Sequence, residues 1–287
     1  YPAVHQTMKL EIISKTPSRT LSKTPLLFVH GAWHGAWCWK VHFMDFFAKQ
    51  GYSVHALSLR GHGESEGIDR LRWSRIADYV SDVAQVAQEL PSPPIVIGHC
   101  MGGFVVQKYL EQFSAPGAIL LASVPPAGAL ATTLRIARRH PLVVAQICLT
   151  LRLLPLVRTP ALAREYLFSA GLTDSQAQRY GERLQDESYL SLLDMLALDL
   201  PQPDLVKTPM LVLGGAKDAI FSPHEVEATA HAYQTEAQIF PDMAHDLMLE
   251  PRWQTVAQRM ADWINELEQS TAWLAARQRA VAAALHP

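Results

Sequence analysis

The chain has 287 residues, of which 49% are hydrophobic and 18% are charged, and its formal net charge is −2 at pH 7. This length and composition predict one large domain, or one domain with an insertion, built on a sizeable core. The nearly balanced charge argues against a nucleic-acid partner. The longest apolar run, at residues 141–156, is interrupted by Gln146, Arg152 and Pro155 and is too short to span a membrane.

Seven short runs are predicted to form β-strands. Most are rich in Leu or in β-branched residues and few alternate with polar residues, which is typical of parallel strands covered on both faces. In chain order they cover residues 8–13, 26–29, 53–59, 95–97, 119–122, 210–213 and 237–240. Residues 1–7 precede the first strand and show no secretory signal, and whether they belong to the native protein stays open.

Helical patterns lie between these strands. Their apolar residues recur at helical spacing over residues 39–50, 73–90, 103–113, 223–233 and 252–267. Because strands and helices alternate along the chain, we expect an α/β fold with a doubly wound, mostly parallel sheet.

The alternation stops between about residues 128 and 206. This stretch is rich in Leu, Ala and Arg, contains no strand run and is bracketed by prolines. We expect it to be a helical insertion between two parts of one core, residues 1–127 and 207–269. The Ala-rich tail, residues 270–287, is either a docked amphipathic helix or a segment foreign to the native protein, and the sequence leaves both open.

The pentapeptide GHCMG at residues 98–102 directly follows the strand at 95–97. A strand, a sharp turn flanked by small residues and a helix form a nucleophile elbow, which presents a reactive side chain at its apex. The apex residue is Cys100, where this pattern usually has serine. The pattern therefore predicts a nucleophile whose reactive atom is sulfur instead of oxygen.

The number and spacing of the cysteines indicate their chemical state. Cys38, Cys100 and Cys148 are an odd number of cysteines without metal-ligand spacing. They predict free thiols, no metal site, and a reducing compartment, which we take to be the cytoplasm. Cys38 and Cys148 lie among apolar residues, so both are expected to be small core residues.

An elbow nucleophile needs a general base and a group that orients the base. In an open α/β sheet such side chains lie just past the carboxyl ends of the strands. His245 follows the strand at 237–240, and Asp218 follows the strand at 210–213 in a Gly-rich turn. The chain order nucleophile, acid, base therefore predicts that Cys100, Asp218 and His245 form a triad.

Other carboxylates could in principle orient the base. The strand at 119–122 is followed by Ser123 and Val124 and offers no carboxylate, which favours Asp218. Asp242 and Asp246 are near His245 in sequence, but such neighbours seldom reach the far nitrogen of the imidazole, so both are runners-up to Asp218.

Backbone amides are expected to stabilise the oxyanion of an acyl-transfer reaction. One is the amide of Met101, the residue after the nucleophile. The other belongs to Ala32, in the loop HGAWHGAW at residues 30–37, where a small side chain lets the amide face the pocket. A glycine turn packed by tryptophans is the structural alternative, and both interpretations can hold together.

Four segments in this order resemble the α/β-hydrolase superfamily. They are HGAW at 30–33, LRGHGES at 59–65, the elbow, and the pair made by the turn at 215–218 and HDLMLE at 245–250. The resemblance covers roughly residues 24–266, and the loop at 30–39 is also similar to that of plant methylesterases and hydroxynitrile lyases.

The resemblance implies hydrolysis of carboxylic esters without a metal or an organic cofactor. It also implies a cap domain, which the insertion at 128–206 would form after the sixth strand of the sheet. Carried over by position, Cys100, Asp218 and His245 take the places of nucleophile, acid and base, and Ala32 and Met101 take the oxyanion positions. Most members have serine at the elbow, while a minority, similar to dienelactone hydrolases, use cysteine.

A thiol changes the expected chemistry. A neighbouring imidazolium and a helix N-terminus both favour a thiolate, so we expect a thiolate–imidazolium pair and a thioester acyl-enzyme. Because thiolate is a good leaving group, we expect poor amidase activity and better activity on activated esters, lactones or thioesters. A thioester also favours acyl transfer to an alcohol or amine.

The insertion is rich in apolar residues and predicts a pocket for an uncharged acyl group of short to medium length. Its expected lining residues are Trp33, His99, Leu142 and Ile147. No cluster of Arg or Lys indicates a charged substrate, so the expected partner is a small-molecule ester, bound by a monomer or a homodimer.

Three other interpretations stay open. The chain could be a cofactor-independent lyase or oxygenase on the same fold, since fold does not determine reaction. It could be an engineered variant in which Cys100 replaces the serine of a serine esterase, or a ligand receptor with a degenerate triad. A dinucleotide-dependent enzyme is disfavoured, because no predicted strand is followed by a GxGxxG turn.

Overall fold

The computed structural model describes residues 8–17 and 24–270 and, in the tail, residues 274, 278–279 and 281–282. Residues 1–7 and most of 270–287 thus lie outside the described residues, and the interpretations offered for them stay untested. Within the described ranges, seven strands form one sheet in the order β1-β3-β2-β4-β5-β6-β7. The strands are β1 (Glu11–Lys15), β2 (Leu26–Val29), β3 (Val54–Ser58), β4 (Ile95–His99), β5 (Ala118–Leu121), β6 (Met210–Gly215) and β7 (Ala237–Phe240).

The sheet is parallel except at one edge. Strand β1 pairs antiparallel with β3, and the other five pairings are parallel. All residues of β2, β4 and β5 are buried, as expected for strands with helices on both faces. These pairings confirm the prediction of a doubly wound, mostly parallel α/β sheet.

The strand order reverses at β2. The chain moves outward from β2 to β3 and then returns to place β4 on the other side of β2, with Val29 opposite Gly98. The carboxyl ends of β2 and β4 are therefore neighbours at a topological switch point. This is the position at which open α/β sheets bind their ligands.

Eleven α-helices are found in the described residues. The core helices are α1 (Trp37–Lys40), α2 (Phe43–Lys49), α3 (Ile76–Glu89), α4 (Met101–Gln112), α10 (Pro223–Ala232) and α11 (Trp253–Glu268). The insertion contains α5 (Leu130–Arg139), α6 (Pro141–Thr150), α7 (Pro160–Leu167), α8 (Asp174–Gly181) and α9 (Tyr189–Leu193). None of the helices in the described ranges is both long enough and apolar enough to cross a bilayer.

The insertion leaves the sheet after β5 and returns at β6, and it contains no strand. The insertion was expected after the sixth strand, but it follows the fifth, because the described residues contain only one strand, β1, ahead of Leu26. Besides its α-helices it has 3₁₀ turns at Leu154–Leu156 and Pro203–Leu205 and a π-helical turn at Asp194–Leu198.

Candidate active site

Cys100 lies at the point where β4 ends and α4 begins, at the switch point of the sheet. Its backbone has φ 52° and ψ −119°, a conformation that non-glycine residues rarely adopt. The surrounding chain holds it there, since the Cys100 amide donates to the Leu121 carbonyl at 3.0 Å and its carbonyl accepts from the Val124 amide at 3.2 Å. Such strain at a strand-to-helix turn is typical of a functional residue.

Small residues around the apex are required by close backbone contacts. A Cβ atom on Gly102 would lie 2.3 Å from the carbonyl oxygen of His30, and one on Gly98 would lie 2.4 Å from the carbonyl oxygen of Gly102. The first turn of α4 thus packs directly against the chain leaving β2. The sequence pattern of small residues has this physical cause.

His245 and Asp218 lie in direct contact. The Nδ1 atom of His245 lies 2.9 Å from Oδ2 of Asp218, and both side chains are buried. The other carboxylate oxygen, Oδ1, accepts from the backbone amides of Ile220 at 2.7 Å and Phe221 at 3.0 Å. These bonds fix the carboxylate, so the imidazole donates its Nδ1 proton to Asp218 and keeps Nε2 for another partner.

The electrostatics of His245 link it to the nucleophile. Burial by itself lowers the pKa of His245, but the Asp218 carboxylate and then the Cys100 sulfur raise that pKa well above its usual value. Nε2 is buried and has no hydrogen-bond partner among the described residues, and the Cys100 sulfur lies close enough to raise the pKa of the ring. The three predicted side chains are therefore brought together in one group.

The two alternative acids lie elsewhere. The Oδ2 atom of Asp246 lies 3.0 Å from Nε2 of His34, and both side chains are buried. Although burial alone would raise the pKa of Asp246, the neighbouring His34 lowers it. The Asp242 side chain is 69% exposed, next to Arg252. Neither carboxylate contacts the His245 ring nitrogen that Asp218 binds.

His99 supports the base from behind. Its Nε2 donates to the backbone carbonyl of His245 at 3.1 Å, and the two rings lie 4.8 Å apart. Burial, together with the nearby His245, lowers the pKa of His99 to about 3, so its ring is neutral. We expected His99 to line the substrate pocket, and the structure instead places it behind His245, away from the cavity.

The group formed by His99, His245 and Asp246 also has the ligand atoms of a metal site, within 4.8 Å of one another. The residues do not fit an ion well. Nδ1 of His99 is packed against Gly31, where even a Cβ atom would lie 2.8 Å away, and its Nε2 donates to the His245 carbonyl. Nδ1 of His245 is bound to Asp218.

Two backbone amides beside Cys100 point to no protein acceptor. The amides of Ala32 and Met101 donate no hydrogen bond to any described residue, and both residues line the cavity that contains Cys100. Unpaired amides at a helix N-terminus and in the adjacent loop are the usual donors to an oxyanion.

A cavity of about 170 Å³ lies between Cys100 and the insertion. Its lining includes no charged side chain and combines core and insertion residues. Trp33 and Ile147 line it as expected. Leu142 does not, because it is on the outward face of α6 and is 84% exposed. Cys148 lines the cavity from the same helix and is exposed, so its expected place in the core was wrong, whereas Cys38 is buried.

Several lining residues were not predicted. They include Phe221, whose ring lies 5.7 Å from that of His245, and Thr132, Tyr189 and Met195 of the insertion. Phe221 follows Asp218 in the same turn and could have been found from that spacing. The insertion residues carry no sequence signal, since their helical pattern does not say which face meets the core.

The fold and the site together define a class of protein: an α/β-hydrolase fold with a sharp strand-to-helix turn at Cys100 and with Asp218 and His245 after successive strands. The alpha/beta hydrolase family model matches residues 26–259, and the chain belongs to this family.

Relatives identified by sequence cover different parts of the chain. Norfluorocurarine synthase 1 of Strychnos nux-vomica is 32% identical over 110 residues, which are 35% of this chain and 38% of that protein. Methyl jasmonate esterase 1 of Vitis vinifera is 35% identical over 30% of this chain and 33% of its own length. The chain thus matches well under half of these two relatives. Monoacylglycerol lipase of Mycolicibacterium smegmatis is 25% identical over 78% of this chain and 81% of its own length.

Solved structures share the fold at low sequence identity. An esterase from Exiguobacterium antarcticum is similar with a TM-score of 0.68 at 15% identity, covering 90% of this chain and 96% of that chain. A Mycobacterium tuberculosis H37Rv protein proposed to be a non-heme bromoperoxidase has a TM-score of 0.72 at 20% identity, covering 93% of this chain and 99% of that chain.

Proposed function

We propose that this protein hydrolyses uncharged, hydrophobic carboxylic esters of short to medium acyl length through a Cys100–His245–Asp218 triad. One observation carries the proposal: the His245 ring, bound to Asp218 at 2.9 Å, has its free nitrogen beside the thiol of Cys100 at an apolar cavity. The partial matches to a methyl jasmonate esterase and a monoacylglycerol lipase support ester chemistry.

The first half of the reaction makes a thioester. His245 takes the thiol proton, and the Cys100 sulfur attacks the ester carbonyl carbon, whose π electrons move to oxygen. The amides of Ala32 and Met101 donate to this oxyanion. When the tetrahedral intermediate collapses, the carbon–oxygen bond to the alcohol breaks and the His245 proton passes to the leaving oxygen.

The second half consumes water. His245, again neutral at Nε2, takes a proton from water as the water oxygen attacks the thioester carbonyl. The carbon–sulfur bond then breaks, the acid leaves, and the thiol regains its proton from His245. An alcohol or amine in place of water would give acyl transfer. Lactones and thioesters would react by the same steps, whereas amides would react poorly because sulfur leaves before nitrogen.

The cavity determines the expected substrate class. Apolar residues such as Val144, Ile147 and Phe221 can bury an acyl chain, at roughly 0.8 kcal/mol per buried CH₂. A charged acyl group would lose its hydration there without finding an ion-pair partner on the cavity wall. We therefore expect kcat/KM to rise with acyl length until the cavity is full.

The test combines kinetics with mass spectrometry on a series of p-nitrophenyl esters of increasing chain length. Parent protein mixed with an activated ester should gain the mass of one acyl group, located on the peptide that contains Cys100. Cys100→Ala and His245→Ala should each lose at least about 10³-fold in kcat/KM.

Cys100→Ser is the informative control. If serine strongly raises turnover, Cys100 is a weakened replacement for a native serine, and the fold carries a serine esterase. Full turnover by Cys100→Ala, or an acyl group on another residue, would overturn the proposed triad.

A further inference from the structure

The outer face of α6 exposes leucines that have no partner in the described structure. Leu142 is 84% exposed and Leu149 is 86% exposed. The two positions are seven residues apart, about two helical turns, so both side chains lie on one face of α6. Leu130 and Leu134 of the adjacent helix α5 are 51% and 47% exposed. Scattered exposed leucines are ordinary, but four on one helix pair form a local apolar face.

The two helices of this face contain arginines and no acidic residue. Residues 128–164 contain six arginines and no Asp or Glu, in a chain whose formal net charge is −2. The arginines are Arg135, Arg138, Arg139, Arg152, Arg158 and Arg164. Four of them meet acids from other segments, as Arg135 does with Glu225 at 2.7 Å. Arg138 and Arg158 are exposed and form no ion pair with any described residue.

The same two helices border the substrate cavity on their inner side. Ile136 of α5, together with Val144 and Ile147 of α6, lines the cavity that contains Cys100. The apolar outer face is therefore separated from the acyl-binding space by the thickness of one helix. If this face were bound to a surface, a molecule that left the surface would have a short path into the cavity.

We propose that the α5–α6 face, formed by Leu130, Leu134, Leu142 and Leu149 with Arg138, docks on an anionic lipid bilayer. A short helix with apolar and cationic residues lies in the plane of the headgroups, burying its leucines while its arginines meet lipid phosphates. Docking would bring the cavity to a source of hydrophobic esters. The docking itself does not depend on the proposed hydrolysis.

A second copy of the chain is the competing occupant. In a two-fold dimer the same patch faces itself, so each arginine-rich face would meet another arginine-rich face. Like charges at an interface oppose association, whereas an anionic bilayer complements them. The charge therefore favours the lipid surface.

Flotation with phosphatidylcholine vesicles, prepared with and without phosphatidylglycerol, tests the docking. Parent protein should float with the anionic vesicles, much less with the neutral ones, and the bound fraction should fall as salt is raised. Leu142→Gln/Leu149→Gln should weaken the partitioning by at least about tenfold, and Arg138→Gln should weaken it by about fivefold.

Leu205→Gln is the matched control, since Leu205 is 53% exposed near the other end of the fold and should leave binding unchanged. Cys100→Ala should bind vesicles like the parent, so a failure of the esterase proposal can be distinguished from a failure of the docking proposal. Every variant should keep the parent's turnover of a soluble ester, apart from Cys100→Ala. Equal binding to neutral vesicles, no binding at all, or a dimer in light scattering that the leucine variants dissociate would overturn the proposal.

Discussion

The hydrogen bond between His245 and Asp218 has two effects on the base. It fixes the ring so that Nε2 faces Cys100, and the carboxylate stabilises the protonated imidazole, which raises the pKa of His245. In a thiol enzyme the protonated imidazole is part of the reactive ion pair and later protonates the leaving alcohol. Activity should therefore fall at alkaline pH, where His245 loses its proton.

Asp218→Asn tests this coupling. The amide cannot stabilise the imidazolium, so the alkaline limb of the kcat/KM profile should move to lower pH, and kcat should fall by about 10²–10⁴. The measurement is a pH–rate profile on one soluble ester for the parent and the variant. Asp242→Asn, at an exposed carboxylate away from the ring, is the control and should leave the limb in place. An unmoved limb in Asp218→Asn would show that another group titrates.

At the turn between β4 and α4, the backbone atoms around Gly102 leave no room for a side chain larger than a hydrogen atom. A Cβ atom on Gly102 would meet backbone carbonyl oxygens of β2 and the following loop at 2.3–2.4 Å. Because these are backbone atoms inside the sheet, they cannot move aside as a flexible side chain would. The helix would have to shift away from the sheet and would carry the Met101 amide with it.

Gly102→Ala should therefore reduce the free energy of unfolding by about 2 kcal/mol or more and reduce kcat/KM along with it. Gly181→Ala, at the end of α8, is the matched control, because a Cβ atom there meets nothing within 4 Å. Alanine in a helix should leave stability unchanged or raise it by up to ~1 kcal/mol. Urea unfolding of the three proteins measures both effects, and equal midpoints would contradict the close contact.

The insertion and the core are joined by buried polar groups as well as by the apolar cavity. Glu187 of the insertion accepts from the Tyr79 hydroxyl at 2.7 Å and lies 3.1 Å from Nε2 of His62. All three side chains are buried. Although burial lowers the pKa of His62, the Glu187 carboxylate raises it above its usual value, which supports a buried ion pair.

Removing one partner of this group should loosen the insertion. Glu187→Ala removes the acceptor of the Tyr79 hydroxyl and of the Ser188 amide and also the ion-pair partner of His62, and we expect a loss of about 3–5 kcal/mol in the free energy of unfolding. Tyr79→Phe removes a single hydrogen bond and should cost about 1 kcal/mol. Urea denaturation compares the two variants, and similar losses in both would show that the His62–Glu187 pair contributes little.

The contribution of the His62–Glu187 pair to the stability of the fold depends on pH. Since the folded-state pKa of His62 is raised, its contribution to stability is full below the unfolded pKa near 6.5 and is lost as pH rises through the folded value. The difference in stability between the parent and Glu187→Ala should therefore shrink at alkaline pH.

Local sequence determined the sheet, the sharp turn at Cys100 and the chain order of Cys100, Asp218 and His245. Buried parallel strands must be continuously apolar, and a sharp strand-to-helix turn must have small neighbours, so both leave patterns that can be recognised in a single sequence. Strands β2 and β7 were predicted to the residue, and four of the five predicted core helices end within three residues of their predicted bounds. The helix predicted at 39–50 is two helices, α1 and α2. The contact of Asp218 with His245 could be predicted because Asp218 follows a strand end.

Tertiary structure alone decided how the insertion is used. Helical periodicity identifies a helix without saying which of its faces meets the core, so Leu142 was expected in the cavity and Cys148 in the core. The side chains that surround His245 come from segments far apart in the chain, such as His99 and Phe221. Packing brings them together, and no local pattern records contacts made across such distances.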